Sequence, residues 1–274
     1  ATPGALAGWA EALSRFGRFS LADVMEPAIR HAKRGFTASS YLSECTDEAK
    51  DDLAKDPNIA ALYLPDGAPL QPGHRIVQSE YAETLQTIAD EGIAAFYDGA
   101  IGAALTEYMA KCGGLITQAD LAECAPIDRH AIHGSYRGYE IIGPPPPASS
   151  GLHIAQMLKI LEGFDLAEMG FGSVEATHLL IEALKIAFAD RVASTADPAF
   201  VDVPVERLLD PAYAAERRAQ IRLDTTQDWG PGVHVHESDH TTHMTAADAD
   251  GWVVAATQTI NNLFGARFII PGTG

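Results

Sequence analysis

His240-Thr241-Thr242-His243-Met244-Thr245, the turn Asp248-Ala249-Asp250-Gly251, and Thr257-Gln258-Thr259-Ile260-Asn261-Asn262-Leu263-Phe264-Gly265 form the stretch whose reading decides the fold. From Thr241, polar and apolar side chains alternate toward Ala247. Asp250-Gly251 is a strong turn signal, and Trp252 to Ile260 is again rich in β-branched residues. The pattern predicts two antiparallel strands. Loop length bounds their register: a loop of two, three or four residues sets Thr241 opposite Ile260, Thr259 or Gln258. In the three-residue case Thr241 and Thr259 pair directly, with Cβ atoms roughly 4.5 to 5.5 Å apart on one face, near enough for one hydroxyl to orient the other. Threonine is also simply common in strands, so composition alone leaves the role of the pair open.

Outward from this hairpin, the chain is long enough to bury a full core: 274 residues, 47% of them hydrophobic. Its 37 acidic against 19 basic residues give a formal charge of −18, which argues against nucleic-acid backbones and anionic membranes as partners. No run approaches the roughly 18 apolar residues of a spanning helix, and the start lacks a basic segment followed by an apolar one. An export signal is therefore absent or lies upstream of this chain. Cys45, Cys112 and Cys124 match no zinc spacing and read as structural or incidental thiols.

Before the hairpin the pattern is mostly helical. Helices are predicted over Leu6 to Phe16, then after a Ser20 cap with Asp23 up to Gly35, where Leu21, Val24, Met25, Ala28 and Ile29 make an apolar stripe. Residues 40 to 62 read as acidic and helical. Further helices run from Ser79 to Asp90, up to Lys111, and from a Thr117–Asp120 capping box. Ile132 to Ile142 predicts two short strands around Tyr136-Arg137-Gly138-Tyr139, and Pro144 to Pro147 forces the chain out of the sheet. A helix follows Ser149-Ser150-Gly151. Ser173 caps the longest helix, Val174 to about Arg191, apolar on most sides and so expected between layers. No linker divides the chain, which predicts one structural domain.

The segment before the hairpin is histidine-dense: His234, His236, His240 and His243, with Glu237 and Asp239 nearby. Such a set can ligate a divalent ion, so a metal-dependent hydrolase is one reading. Against it, a barrel hydrolase of that kind needs many strands after the motif, and fewer than 40 residues follow His236.

A second reading comes from a resemblance. Thr-Thr-His, an Asp-x-Asp-Gly turn and Thr-x-Thr-x-Asn-x-x-Phe-Gly resemble the processing junction of the gamma-glutamyltransferase (gamma-glutamyltranspeptidase) family, proenzymes of the N-terminal nucleophile hydrolase superfamily. Thr2-Pro3-Gly4, Met25-Glu26-Pro27-Ala28, Phe96-Tyr97-Asp98-Gly99, Gly113-Gly114-Leu115-Ile116-Thr117, Tyr136-Arg137-Gly138-Tyr139, the proline run with Ser149-Ser150-Gly151, and Ala189-Asp190-Arg191 resemble the family's large subunit in the same order. The resemblance implies an α+β fold of the four-layer αββα kind, with residues 1–240 as large-subunit portion and 241–274 as the start of the small subunit. It implies self-cleavage between His240 and Thr241, with Thr241 as nucleophile and then, through its freed α-amine, its own base. Thr259 is implied to orient that nucleophile, and Asn261 to bind the α-amino group of a γ-glutamyl substrate.

No metal or cofactor is implied. The implied partners are a γ-glutamyl small molecule, an acceptor that is water, an amino acid or a peptide, and the two subunits produced by cleavage. The resemblance to the family's exported bacterial members implies the periplasm or medium, while the sequence itself leaves the compartment open. Against the family pattern the chain starts after the arginine that grips the α-carboxylate and stops before the oxyanion-hole glycines. It therefore reads as the middle of a proenzyme, inactive alone. Acylases of glutaryl or cephalosporin side chains share this scaffold, which leaves acyl specificity open. A pseudoenzyme retaining the scaffold is the non-enzymatic alternative.

Overall fold

A computed structural model of the chain describes residues 2–230 and 241–274. The described residues divide between two compact units, Ala1–Ile127 with Glu237–Gly274, and Asp128–His236. Each follows from local signals that the sequence carries.

The first unit opens with α1 (Ala5–Phe16) and α2 (Leu21–Arg34). Ser20 Oγ accepts the Asp23 N–H at 3.1 Å while the Asp23 carboxylate accepts the Ser20 N–H at 2.9 Å, so two of the helix's unpaired donors are satisfied at once. Leu21, Met25, Ile29 and Ala32 form the inward line of α2, whereas Val24 and Ala28 of the expected stripe are exposed. The stripe is narrower than expected because the main packing partner of α2 is a single helix, formed by Ser79–Glu91.

β1 (Phe36–Thr37) pairs antiparallel with β2 (Arg75–Ile76). Between them the stretch read as one helical run is broken into α3 (Ser40–Glu48), α4 (Lys50–Leu53) and α5 (Pro57–Tyr63). Asp56-Pro57 causes the last break: Asp56 Oδ1 accepts the Asn58 and Ile59 N–H groups at 3.1 and 2.9 Å, and the proline takes a first-turn position that needs no donor. α6 (Ser79–Glu91), α7 (Ala94–Tyr97), α8 (Ala100–Cys112) and α9 (Gln118–Ala122) complete this scaffold. Tyr97, Leu105 and Leu121 pack with Ala7. The Tyr97 hydroxyl accepts the Ala7 N–H at 3.1 Å and donates to the Pro3 carbonyl at 2.8 Å, tying α1 to this core.

In the second unit β3 (Ile132–Tyr136) and β4 (Tyr139–Gly143) form the expected hairpin, with Tyr136 opposite Tyr139. The proline run then brings backbone against backbone: a Cβ on Gly143 would lie 2.5 Å from the Gly151 Cα, which only glycine avoids. α10 (Ser150–Leu161), α11 (Leu166–Met169), α12 (Val174–Ser194), α13 (Val205–Leu209) and α14 (Pro211–Ala219) follow. Ile160, Leu161, Leu179, Ala183, Ile186 and Ala214 make their core. One face of α12 is buried; Val174, Leu180, Ile181, Phe188 and Val192 on its other sides are exposed, so it is not enclosed as its composition suggested. His153 is buried, bonded to Gln156 and Thr195, and Gln156 in turn donates to Asp190, which Tyr213 and Arg217 also contact. Ala189-Asp190-Arg191 thus supplies a packing carboxylate.

The chain returns to the first unit as β5 (Thr241–Ala247) and β6 (Val253–Thr259), and the residues after β6 dock on the scaffold. Leu263 joins Cys45, Leu53, Ile59 and Leu64, and Phe264 meets the Tyr63 ring edge-on at 4.9 Å between centroids. Arg267 pairs with Asp52, and Thr84 Oγ1 donates to the Thr273 carbonyl at 2.8 Å. The centre of this anchor is Asp56, which besides capping α5 accepts the Tyr108 hydroxyl at 3.0 Å and the Ile269 N–H at 3.4 Å. Burial pushes the Asp56 carboxyl up, but the bonds from Ile59, Tyr108, Ile269 and Asn58 outweigh it and hold it below the ordinary range.

A carboxylate lowered on folding contributes stability above its unfolded value near 3.8, and that contribution is lost as pH falls through the folded value. Asp56→Ala is expected to lower stability by about 2–3 kcal/mol at neutral pH, from a lost cap plus unpaired donors. Tyr108→Phe removes one of those bonds and is expected to cost about 1 kcal/mol. Chemical denaturation measures both.

Candidate active site

The hairpin realises the three-residue loop. Asp248 N–H bonds the Trp252 carbonyl at 3.1 Å and Gly251 N–H bonds the Asp248 carbonyl at 3.3 Å. Asp248 Oδ1 also accepts the Asp250 and Trp252 N–H groups, both at 3.0 Å. Gly251 has φ +89°, the left-handed geometry that a residue closing this loop type must adopt. The register that follows pairs Thr241 with Thr259, Thr242 with Gln258, His243 with Thr257 and Met244 with Ala256.

Because Asp248 and Trp252 form a hydrogen-bonded pair, alternation along the ladder makes Thr241–Thr259 a non-hydrogen-bonded pair, the kind whose Cα atoms come to roughly 4.5 Å and whose side chains lie closest. Thr241, His243 and Thr245 therefore share a face with Thr259, Thr257 and Ala255. The structure brings the two expected threonines together.

Two anchors hold the pair in place. At the tip, Phe16 of α1 lies 6.3 Å from Trp252 ring to ring, and Arg18 is 4.0 Å from Asp250 across a fully wet surface. Beyond β6, Leu263 and Phe264 are fixed in the α3–α5 cluster. Asn261 sits between strand and anchor at φ +65°, a left-handed conformation that asparagine tolerates better than most side chains. Its N–H is bonded by Thr259 Oγ1 at 3.0 Å, a short hydroxyl-capped turn. That bond uses a lone pair of Thr259 and leaves its O–H proton as a donor.

His243 is engaged on both ring nitrogens, Nδ1 with Thr257 Oγ1 at 2.7 Å and Nε2 with Thr245 Oγ1 at 3.0 Å. In the sequence this histidine reads as a potential metal ligand and as the third residue of the Thr-Thr-His motif; the bridge to Thr257 and Thr245 is signalled only by the strand alternation that sets the three on one face. His234, His236, Glu237, Asp239 and His240 lie outside the described residues. Among the described residues no group of three or more His, Cys, Asp or Glu side chains converges as a metal site would. Thr241 and Thr259 thus come together with Asn261 close behind them in the chain, while the carbonyl of His240 falls beyond what is described.

Comparison with known proteins shows the family to which the chain is related. The family model described as gamma-glutamyltranspeptidase matches residues 1–274. The chain is 62% identical over 274 residues to Acylase ACY 1 proenzyme of Pseudomonas sp. (strain SE83), covering 100% of this chain and 49% of that protein. It is 38% identical over 278 residues to the glutathione hydrolase proenzyme of Escherichia coli (strain K12), covering 100% and 48%. Among solved structures, cephalosporin acylase from Bacillus halodurans superposes with a TM-score of 0.85 at 30% identity, over 99% of this chain and 50% of that one. The chain spans about half the length of these relatives.

Its fold is α+β, of the N-terminal nucleophile hydrolase type, represented among the described residues by the helical scaffold and three two-stranded antiparallel sheets. A match along the whole chain, together with a hairpin whose register pairs Thr241 with Thr259, establishes that the chain belongs to the gamma-glutamyltranspeptidase family.

Proposed function

We propose that the protein containing this chain is a self-processing threonine acyltransferase and hydrolase that cleaves γ-glutamyl amide bonds, with Thr241 as nucleophile. The observation that carries the reading is the direct pairing of Thr241 with Thr259 at the start of β5. In the first step Thr241 Oγ bonds to the carbonyl carbon of His240, the C–N bond breaks, and the hydroxyl proton passes to the leaving nitrogen. Water then opens the ester, giving the His240 carboxylate and a free Thr241 α-amine. That amine, with a reference pKa near 8, takes the hydroxyl proton during attack on substrate. The acyl-Thr241 ester is resolved by water, an amino acid or a peptide. Cleavage divides the chain into a large-subunit portion up to residue 240 and a small-subunit portion from 241, which remain together as a heterodimer.

Thr259, opposite Thr241, orients the nucleophile by donating its O–H. Thr259→Val, which keeps the branched shape, is expected to slow acyl transfer by about 100-fold, the cost of a misplaced nucleophile. Steady-state rates on a γ-glutamyl anilide measure this.

A second reading, an acylase of glutaryl or cephalosporin side chains, is favoured by the higher identity to Acylase ACY 1 proenzyme than to the glutathione hydrolase. Glutaryl and γ-glutamyl groups differ by one α-amino group, the group assigned to Asn261. Comparing kcat/KM of the full-length processed protein on γ-glutamyl-p-nitroanilide and glutaryl-p-nitroanilide separates the readings. At least tenfold preference for the γ-glutamyl compound is expected; preference for the glutaryl compound replaces the first reading with the second, and turnover of neither, in an uncut chain, indicates a pseudoenzyme.

A further inference from the structure

We propose that His243 is a positioning residue for Thr241: its imidazole bridges the hydroxyls of Thr257 and Thr245 and so locks the hairpin face on which the Thr241–Thr259 pair stands. The proposal rests on the reading of Thr241 as nucleophile.

Three observations carry it. First, His243 shares a face with Thr241 two residues along β5, a separation of roughly 6.5–7 Å, so it stands one step along the row from the nucleophile. Second, its cross-strand partner is Thr257, the neighbour of Thr259 on that face of β6, and the Nδ1–Oγ1 distance is 2.7 Å. The ring therefore ties the two strands together one step from the pair. Third, Nε2 meets Thr245 Oγ1 at 3.0 Å, so the imidazole is held at both ends and cannot rotate away.

A neutral imidazole has one N–H and one lone pair, and each threonine hydroxyl can donate or accept, so the chain Thr257–His243–Thr245 can be fully satisfied. The flanking hydrogen-bonded pairs set the strand spacing, and side-chain contacts add to them by fixing the rotamers along this row. Removing the bridge leaves Thr241 and Thr259 paired in register but with their hydroxyls less well directed. A nucleophile displaced by even 1 Å loses about 100-fold in rate, whereas binding contacts made elsewhere are untouched. The signature is thus a fall in kcat and in self-cleavage rate with KM preserved.

The test uses the full-length proenzyme as wild type, His243→Ala, Thr257→Val, the double variant and Thr257→Ser. Self-cleavage is followed by intact mass, and kcat and KM are measured on whichever anilide the wild type turns over. His243→Ala and Thr257→Val are each expected to slow both reactions at least tenfold with KM within twofold. The double variant is expected to be no slower than the slower single variant, since both remove one bridge. Thr257→Ser, which restores the hydroxyl, is expected to recover rates to within threefold of wild type. Single variants within twofold of wild type overturn the proposal, as do losses that multiply in the double variant. Losses that vanish once rates are corrected for the folded fraction overturn it too, because they mark a merely structural role. A wild type that is never cut overturns the nucleophile reading and this proposal with it; a wild type cut at Thr241 beside an equally fast His243→Ala overturns this proposal alone.

Discussion

Thr241→Ala in the full-length protein is expected to leave a single uncut polypeptide and to lower acyl transfer by about 10⁴-fold or more, the scale seen when a covalent nucleophile is deleted. Both effects share one cause. On the proposed mechanism the hydroxyl that attacks the preceding carbonyl is the one that later attacks substrate, and the amine that serves as base does not exist until the chain is cut. Alanine leaves the strand pairing intact, so the loss is chemical and the variant is expected to fold. Thr241→Ser keeps a hydroxyl and is expected to cut, though more slowly. Gel analysis of the purified variants with rates on the anilide substrate measures the whole effect; a cut Thr241→Ala chain would contradict the mechanism.

The second large effect is expected in the other unit, at Glu182. This carboxylate is fully buried in α12, and it accepts bonds from Lys185 Nζ at 2.9 Å, Trp229 Nε1 at 2.5 Å, Thr226 Oγ1 at 3.0 Å and the Gln227 N–H at 3.3 Å. Burial alone raises its pKa, but the bonds from Lys185, Trp229, Thr226 and Gln227 outweigh burial and hold it at about 2, against an ordinary 4.5. Glu182→Ala takes the acceptor from the Trp229 indole N–H and the Gln227 backbone N–H and the counter-charge from Lys185, which keeps only Thr226 Oγ1 and the Gln227 carbonyl. It is expected to cost on the order of 3–5 kcal/mol, the range for breaking a buried pair by removing one partner.

The pH dependence has a definite sign. The folded pKa lies below the unfolded one, so the unfolded state binds the proton first: the contribution of Glu182 is complete above about pH 4.5 and is lost as pH falls toward about 2. Denaturation of wild type and Glu182→Ala across that window is expected to converge at low pH. A constant gap between them would mean that charge plays no part.

How much of this was legible in the sequence depends on the range of the interactions. Capping boxes at Ser20 and Thr117, the Ser173 cap and the Asp248–Gly251 turn involve partners within four residues, and each is found where the residue pattern puts it. The turn mattered most, because the loop length alone fixes whether Thr241 meets Thr259. Asp56 shows the opposite case. Asp-Pro reads as a helix start, but the contact with Ile269 lies 213 residues away, and no periodicity encodes it. Glu182 likewise looks like an ordinary helix glutamate until residues 226–229 fold over it.

The site divides the same way. Thr241, Thr259 and Asn261 stood out through family resemblance and strand register, which are patterns along the chain. His243 was read by residue type, as a potential ligand among other histidines, when its meaning comes from strand alternation that sets it beside two hydroxyls. The apolar composition of α12 suggested enclosure on all sides, but composition records what a helix can bury rather than what covers it.

On the proposed mechanism one backbone bond, between His240 and Thr241, is cut by the hydroxyl that follows it. Intact mass of the full-length wild-type protein, with sequencing of any new N-terminus, is the direct test. Two fragments are expected, whose masses sum to the chain plus one water, the second beginning Thr-Thr-His-Met. An uncut chain, or a new N-terminus at any other residue, would contradict it.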